Sequence, residues 1–179
     1  MKPQTYDAHL SVASVVLPLV VDAGEIQILL MRRAEDDYHH SRQISFPGGR
    51  LDPGEDPRQC ACREFQEELG VPIKDSDLLG LVDIGFAHVS NSIINCYVGC
   101  LQGPIPFQPD PQEVEYLIPV PLNFFFGPAN VGLDYFEHGN FRYVSPVFMY
   151  NEERIWGATA RMLATFLTQM NNALEEHHV

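Results

Sequence analysis

The chain has 179 residues, of which 45% are hydrophobic, and this composition fits one folded domain and argues against disorder. Its formal net charge of −13 at pH 7 argues against a broad surface for polyanions, so we expect no nucleic-acid partner. No apolar run approaches the roughly 18 residues of a membrane span, and the first residues do not show the basic region, apolar segment and small-residue cleavage site that would predict a leader. We therefore expect a single cytoplasmic domain over residues 1–179, with no membrane partner.

The first half of the chain predicts strands that lead to a glycine pair. Residues 11–21 and 26–33 are β-branched or apolar runs separated by a turn, which favours a hairpin or two neighbouring strands. Residues 34–43 are polar and predict a loop, and residues 44–46 predict a short strand. Gly48 and Gly49 then allow a sharp turn and a close approach to a ligand.

A helix is predicted over Pro57–Leu69. Asp56 is a good N-cap, proline suits the first helical position, and Gly70 followed by Pro72 provides a C-terminal stop.

Three glutamates share one face of this predicted helix. Glu64, Glu67 and Glu68 are related by i, i+3 and i+4 and span an arc of about 100°. Such like-charge pairs destabilise a helix by about 0.2–0.5 kcal/mol each, and no lysine lies on the arc. Hard divalent cations prefer oxygen ligands, so this face predicts a site for Mg²⁺ or Mn²⁺. Arg63 precedes Glu67 by one turn, and we expect it to position carboxylates.

The second half of the chain predicts further strands and a final helix. Leu78–Ala87 and residues 93–101 favour strands joined by a turn at Ser90 and Asn91. Four prolines predict an extended loop over residues 103–112. Strands are expected at residues 116–120 and 143–149, a turn at 151–153, core positions at 124–126, and an amphipathic helix from about Ala158.

Charged residues near these elements are candidates for catalysis and substrate binding. Glu113 and Glu115 end the proline-rich loop, and each is a candidate general base, with Glu64 as the rival. Arginines cluster in the residues that lead into the glycine pair and follow it, which suggests that one or two of them contact phosphate. The arginine candidates for substrate binding are Arg33, Arg42 and Arg50.

The pattern from Gly49 to Val71, G-x5-E-x7-R-E-F-x-E-E-L-G-V, closely resembles a Nudix box. This resemblance implies an α/β fold: an α/β/α sandwich around a mixed β-sheet, with a loop-helix-loop catalytic motif. It also implies metal-dependent hydrolysis of a small nucleotide diphosphate substrate. The implied metal ligands are Gly49, through its carbonyl, with Glu64, Glu67 and Glu68, and the box arginine Arg63 would hold these carboxylates. Glu55 is open to three roles: helix cap, partner of Arg63 or metal ligand.

Beyond the box, the chain is similar to the coenzyme A pyrophosphatase branch of that family. The similarity rests on residues 29–49, residues 113–122 and the segment I-W-G-A-T-A-R at residues 155–161, which matches the branch's I-W-G-x-T pattern. It implies cleavage of coenzyme A or an acyl-CoA to 3',5'-ADP and 4'-phosphopantetheine. Tyr38 and Arg42 depart from the branch pattern, so an ADP-ribose or dinucleotide pyrophosphatase is the alternative, and a non-catalytic nucleotide-binding module is the second. Trp156 is favoured as a core residue over a substrate contact. A homodimer is compatible with the sequence.

Overall fold

The computed structural model describes residues 10–35, 42–87, 91–138 and 141–176, so Tyr38 and Ser90 lie outside the described residues. These residues form a seven-stranded sheet, a three-stranded sheet and two helices. The helices are α1 (Pro57–Leu69) and α2 (Gly157–Glu176). The strands are β1 (Ser11–Asp22), β2 (Glu25–Arg33), β3 (Ile44–Ser45), β4 (Gly48–Arg50), β5 (Leu78–Ala87), β6 (Ser92–Gln102), β7 (Val114–Pro121), β8 (Val131–His138), β9 (Phe141–Tyr150) and β10 (Glu153–Ile155).

The large sheet is mixed, as the sequence predicted. Its order is β3-β2-β1-β6-β5, with β4 paired to β1 and β7 paired to β2. Strands β1 and β6 run parallel, whereas β1 and β2 form the predicted antiparallel hairpin, which closes at Asp22 and Glu25. The three-stranded sheet has the order β10-β9-β8.

The two helices cover opposite faces of the large sheet. Along β1, Val15 and Leu17 belong to the core that contains residues of α2, whereas Val16 and Val20 belong to the core that contains residues of α1. Alternate side chains of a strand point to opposite faces of the sheet. A strand that is buried on both faces therefore has a continuous run of apolar residues. The predicted α/β/α sandwich is therefore confirmed.

Helix α1 begins and ends where the sequence predicted. The side chain of Asp56 accepts a hydrogen bond of 2.9 Å from the backbone N–H of Arg58. At the other end, Gly70 adopts φ 69°, and its N–H donates to the carbonyl of Gln66 at 2.9 Å. Both caps satisfy backbone groups that the helix leaves unpaired.

The proline-rich loop closes over the C-terminal end of α1. The backbone N–H of Gln108 donates to the Leu69 carbonyl at 2.9 Å, and that of Asp110 donates to the Glu68 carbonyl at 3.0 Å. The backbone N–H of Glu113 in turn donates to the Asp110 carbonyl at 3.0 Å. These bonds bring the end of the loop to the side of the acidic helix.

The sequence-based assignment differs from the structure in three short elements. The segment at Gly48 and Gly49, predicted as a turn, is strand β4, because it pairs with β1 despite the weak strand propensity of glycine. Strand β8 was not predicted; it contains Gly132 and Asp134, which are both poor strand formers. Strand β10 begins at Glu153, inside the predicted turn.

The phenylalanine run at residues 124–126 is only partly in the core. It lies in a short 3-10 turn, in which Phe125 is buried and Phe124 packs against the core. Phe126 is 44% exposed, so the core prediction is wrong for this residue. No helix of the described residues is long and apolar enough to cross a lipid bilayer.

We predict that Gly48→Ala destabilises the protein, because β4 approaches β1 too closely for a side chain. A Cβ at residue 48 would lie 2.2 Å from the Ser14 carbonyl oxygen, and φ is +148°. We expect a loss of about 1–3 kcal/mol in the free energy of unfolding, measured by denaturant titration. Gly80→Ala is the control: a Cβ there meets nothing within 4 Å, so a change below about 0.5 kcal/mol is expected. Equal stability of the two variants would contradict this account of β4.

Candidate metal and diphosphate site

The guanidinium of Arg63 lies at the centre of the acidic side chains of the loop-helix unit. It binds both carboxylate oxygens of Glu55, at 2.8 and 2.9 Å. Its Nη1 donates to Glu64 at 2.8 Å and to Glu67 at 2.9 Å, and its Nη2 donates to the Arg50 carbonyl at 3.1 Å. One cation thus connects the loop to three carboxylates, a geometry that suits its planar fork.

Glu55 is a partner of Arg63 in this structure. Its side chain is only 13% exposed, and the hydrogen bonds from Arg63 lower its pKa to about 2. The backbone N–H of Asp52 donates a further hydrogen bond of 3.0 Å to this carboxylate. Of the three roles that the sequence left open, these contacts favour the pairing with Arg63.

Glu68 points inward, whereas Glu67 faces solvent. The Glu68 side chain is 1% exposed and accepts hydrogen bonds from the Gly48 N–H at 2.7 Å and from Arg33 at 3.0 Å. Burial nevertheless raises its pKa to about 8. The side chain of Glu67 is 55% exposed. The three glutamates of the predicted face therefore have different environments.

The backbone of Gly49 lies directly against the carboxylate of Glu64. A Cβ at residue 49 would lie 2.3 Å from Oε2 of Glu64, so only glycine leaves room for this carboxylate. The carbonyl of Gly49 accepts a weak hydrogen bond from the Cys60 thiol, with an S···O distance of 3.6 Å. The Glu64 side chain is 15% exposed, and burial raises its pKa.

The chemistry of these groups fits a hard divalent cation. Glu55, Glu64 and Glu67 share one guanidinium, so the cluster keeps an excess of negative charge. Among the described residues, however, no three acidic, histidine or cysteine side chains already converge as a metal site. Glu64 and Glu67 bond to Arg63, whereas Glu68 bonds to Arg33 and to the Gly48 N–H. The ligand roles of Gly49 and these glutamates therefore remain predictions.

The two candidate bases at the end of the loop have different surroundings. The charge of Glu113 contributes to raising the pKa of both Glu64 and Glu68, so its carboxylate acts electrostatically on the acidic cluster. Glu115 instead forms an ion pair of 3.1 Å with Arg32. The sequence placed both at the loop end, but only the folded chain distinguishes them.

Two of the three predicted substrate arginines line one cavity. Arg33 and Arg50 both line a cavity of about 440 Å³, and Arg33 also binds Glu68. Arg42 is exposed and lies 4.0 Å from Glu115. Of the three, Arg50 is thus the one whose side chain is available beside the acidic cluster and has no carboxylate within 4.0 Å among the described residues.

The cavity brings residues of distant segments to the box. Gly49 and Arg50 come from β4, Tyr143 comes from β9, Trp156 directly precedes α2, and Arg161 lies in α2. A volume of this size is typical of a site for a small molecule. Sequence reasoning missed Tyr143 and Arg161; the only available signal was that Arg161 ends the 155–161 segment that carries the resemblance.

Trp156 is not the core residue that the sequence favoured. It is half-buried, lines the cavity and stacks on Phe136, with ring centroids 5.5 Å apart and an interplanar angle of 4°. The prediction was wrong because a large apolar side chain is equally suited to a core and to a binding-site wall.

Comparisons with known proteins agree with this architecture. The family model of the NUDIX domain matches residues 10–129. The chain is 31% identical over 164 residues to the mitochondrial coenzyme A diphosphatase NUDT8 of Homo sapiens, covering 88% of this chain and 68% of the relative. Against the Mus musculus protein of the same name, identity is 30% over 154 residues, covering 83% and 72% respectively.

A solved structure is similar over almost the whole chain. The MutT/nudix family protein from Enterococcus faecalis superposes with a TM-score of 0.64 at 13% identity, covering 96% of this chain and 66% of that protein. At this identity the likeness shows the fold alone. The family model covers well over half of the chain, and the box residues lie on the loop-helix unit described above. The chain therefore belongs to the Nudix family of hydrolases.

Proposed function

We propose that this Nudix hydrolase cleaves the diphosphate of coenzyme A or an acyl-CoA, giving 3',5'-ADP and 4'-phosphopantetheine, with Mg²⁺ or Mn²⁺ as cofactor. The observation that carries the proposal is the position of Gly49, which touches Glu64 and also lines the cavity. A diphosphate in the cavity would therefore lie beside the acidic cluster. The two relatives whose names specify coenzyme A diphosphatases support the choice of substrate.

The residues of the loop-helix unit have different roles in the proposed reaction. Glu64, Glu67, Glu68 and the Gly49 carbonyl would hold the divalent cation, which supplies charge neutralisation and an acidified water when bound. Arg63 orients Glu64 and Glu67 through its hydrogen bonds. We infer that water attacks phosphorus and not the adenosine carbon.

Glu113 is our choice for the group that accepts the proton of the attacking water. Its carboxylate acts electrostatically on Glu64 and Glu68, whereas Glu115 is neutralised by Arg32. We prefer Glu113 to Glu64 because Glu64 is proposed to be a metal ligand. Proton transfer to a positioned carboxylate contributes roughly 10²–10⁴-fold to a rate.

The first prediction is that purified protein hydrolyses coenzyme A only when a divalent cation is present. A panel of coenzyme A, acetyl-CoA, ADP-ribose and a diadenosine polyphosphate is assayed with Mg²⁺, Mn²⁺ or EDTA, and products are separated by chromatography. We expect 3',5'-ADP from the first two compounds and no turnover in EDTA. Turnover of ADP-ribose or the dinucleotide with unchanged coenzyme A would contradict the substrate and favour the alternative activity.

The second prediction concerns Glu67, whose exposure makes substitution structurally mild. Glu67→Gln should lower kcat by more than the roughly 10–100-fold that is typical of outer-shell partners, because it removes a metal ligand. Glu25→Gln, at the exposed first residue of β2, is the control with an identical chemical change and should retain full activity. Unchanged turnover in Glu67→Gln would show that Glu67 is not a metal ligand, and a lack of turnover in the unmodified protein would favour the non-catalytic nucleotide-binding module.

The third prediction separates the candidate bases. Glu113→Gln should lower kcat by roughly 10²–10⁴-fold, while Glu115→Gln stays within a few-fold of the unmodified protein. Excess Mn²⁺ should restore part of the activity of Glu64→Gln, a ligand variant, but none of that of Glu113→Gln. A large loss in Glu115→Gln with an active Glu113→Gln would reverse the assignment.

The cytoplasmic location and the homodimer remain predictions. Light scattering of the purified protein measures the oligomeric state directly. Cell fractionation tests the location.

A further inference from the structure

Two of the arginines that line the cavity beside the box differ from the other arginines in their ion pairing. Seven of the nine arginines have a carboxylate oxygen within 4.0 Å. Among the described residues, Arg50 and Arg161 have no such carboxylate, and both line this cavity. In a chain with a net charge of −13, two guanidinium groups without acidic partners in one cavity indicate an anionic ligand.

Arg161 is held at the cavity by contacts that leave its charge uncompensated. Its Nη2 donates to the Phe86 carbonyl at 2.6 Å, and its Cζ lies 6.0 Å from the ring centroid of Tyr143. A guanidinium has five N–H donors, so these contacts leave others for a ligand. The carbonyl and the ring thus orient the side chain without neutralising it.

Aromatic rings form the wall next to Arg161. Phe136 stacks on Tyr143 at 5.6 Å and 21°, and on Trp156 at 5.5 Å and 4°. The nearby Arg154 lies over Phe136 and Trp156 but is neutralised by Asp134. The wall therefore presents flat rings beside one uncompensated cation, and nucleoside bases stack on such rings.

We propose that Arg161, Tyr143 and Trp156 form the specificity subsite for the 3'-phosphorylated nucleoside half of the substrate, with Arg161 binding the 3'-phosphate. The inference rests on the proposed function. Arg50, next to the box glycine on β4, is placed for the diphosphate. Arg161 bonds to Phe86 on β5, and β1 and β6 lie between these two strands, so Arg161 requires a second anionic group. The pantetheine half carries no second anion and no ring, whereas the 3'-phosphoadenosine half carries both.

The rival occupant of the cavity is the pantetheine or acyl arm. Val15, Ile44 and Met162 provide aliphatic wall that such an arm would contact. In that case Arg161 would contribute nothing specific to a phosphate at the 3' position. The two arrangements therefore predict different responses to removal of that phosphate.

Binding of two nucleotides that differ only in the 3'-phosphate tests the subsite. Calorimetry measures the dissociation constants of 3',5'-ADP and 5'-AMP in Mg²⁺ for the unmodified protein, Arg161→Met and Arg142→Met. We expect a roughly 10–100-fold preference for 3',5'-ADP in the unmodified protein, since a hydrogen-bonded charge contributes that much. Arg161→Met should lose most of this preference while its affinity for 5'-AMP stays within a few-fold.

Arg142→Met is the matched control, because Arg142 is an exposed arginine next to Tyr143 that pairs with Glu137. It should keep the full preference. Arg161→Lys, which keeps the charge but not the planar fork, should show an intermediate preference and replaces the methionine variant if that variant does not fold. Equal affinity for the two nucleotides in the unmodified protein, or an unchanged preference in the Arg161 variants, would overturn the subsite.

Hydrolysis of coenzyme A and dephospho-coenzyme A separates this inference from the proposed function. If coenzyme A is cleaved but Arg161→Met leaves the ratio of the two kcat/KM values unchanged, the function stands and the subsite is wrong. If neither compound is cleaved while Arg161→Met still loses the preference for 3',5'-ADP, the subsite stands and the proposed substrate is wrong. A selective fall in kcat/KM for coenzyme A supports both.

Discussion

The hydrogen bonds of Arg63 are the interaction on which the site depends. Glu55 on the loop and Glu64 and Glu67 on α1 all bond to this one guanidinium, which also binds the Arg50 carbonyl. Without a shared cation, these carboxylates would repel one another and separate the loop from the helix. Because the positive charge is smaller than the negative charge around it, the same network that holds the loop leaves a net negative charge, which is the basis of the proposed divalent-cation site.

A second contact fixes the helix against the sheet. Glu68 is buried between α1, β2 and β4, where it accepts hydrogen bonds from Arg33 and from the Gly48 N–H. Burying a carboxylate is costly unless it is paired and hydrogen-bonded, and both requirements are met here. The loop that follows β6 then bonds to the carbonyl of Glu68 itself, which brings Glu113 to the same acidic cluster. The C-terminal end of α1 thus positions both Glu68 of the proposed metal site and the candidate base Glu113.

Gly49 belongs both to the surroundings of the acidic cluster and to the cavity. It lies against Glu64, and it lines the cavity together with Arg50, Arg161 and aromatic rings. A nucleotide diphosphate needs both environments, because its phosphates require cations while its base requires an apolar surface. The strongly acidic net charge of the chain therefore does not describe this cavity, which is lined by arginines.

The sequence by itself determined the elements whose causes are local. Asp56, Pro57 and Gly70 define the bounds of α1, and the spacing of its glutamates predicts their common face. Tertiary structure alone decided that Gly48 forms a strand, that Glu115 forms an ion pair with Arg32, and that Arg161 reaches the carbonyl of Phe86, 75 residues earlier. Local conformation follows from neighbouring residues, whereas these contacts join distant segments whose meeting depends on the packing of the whole sheet and both helices.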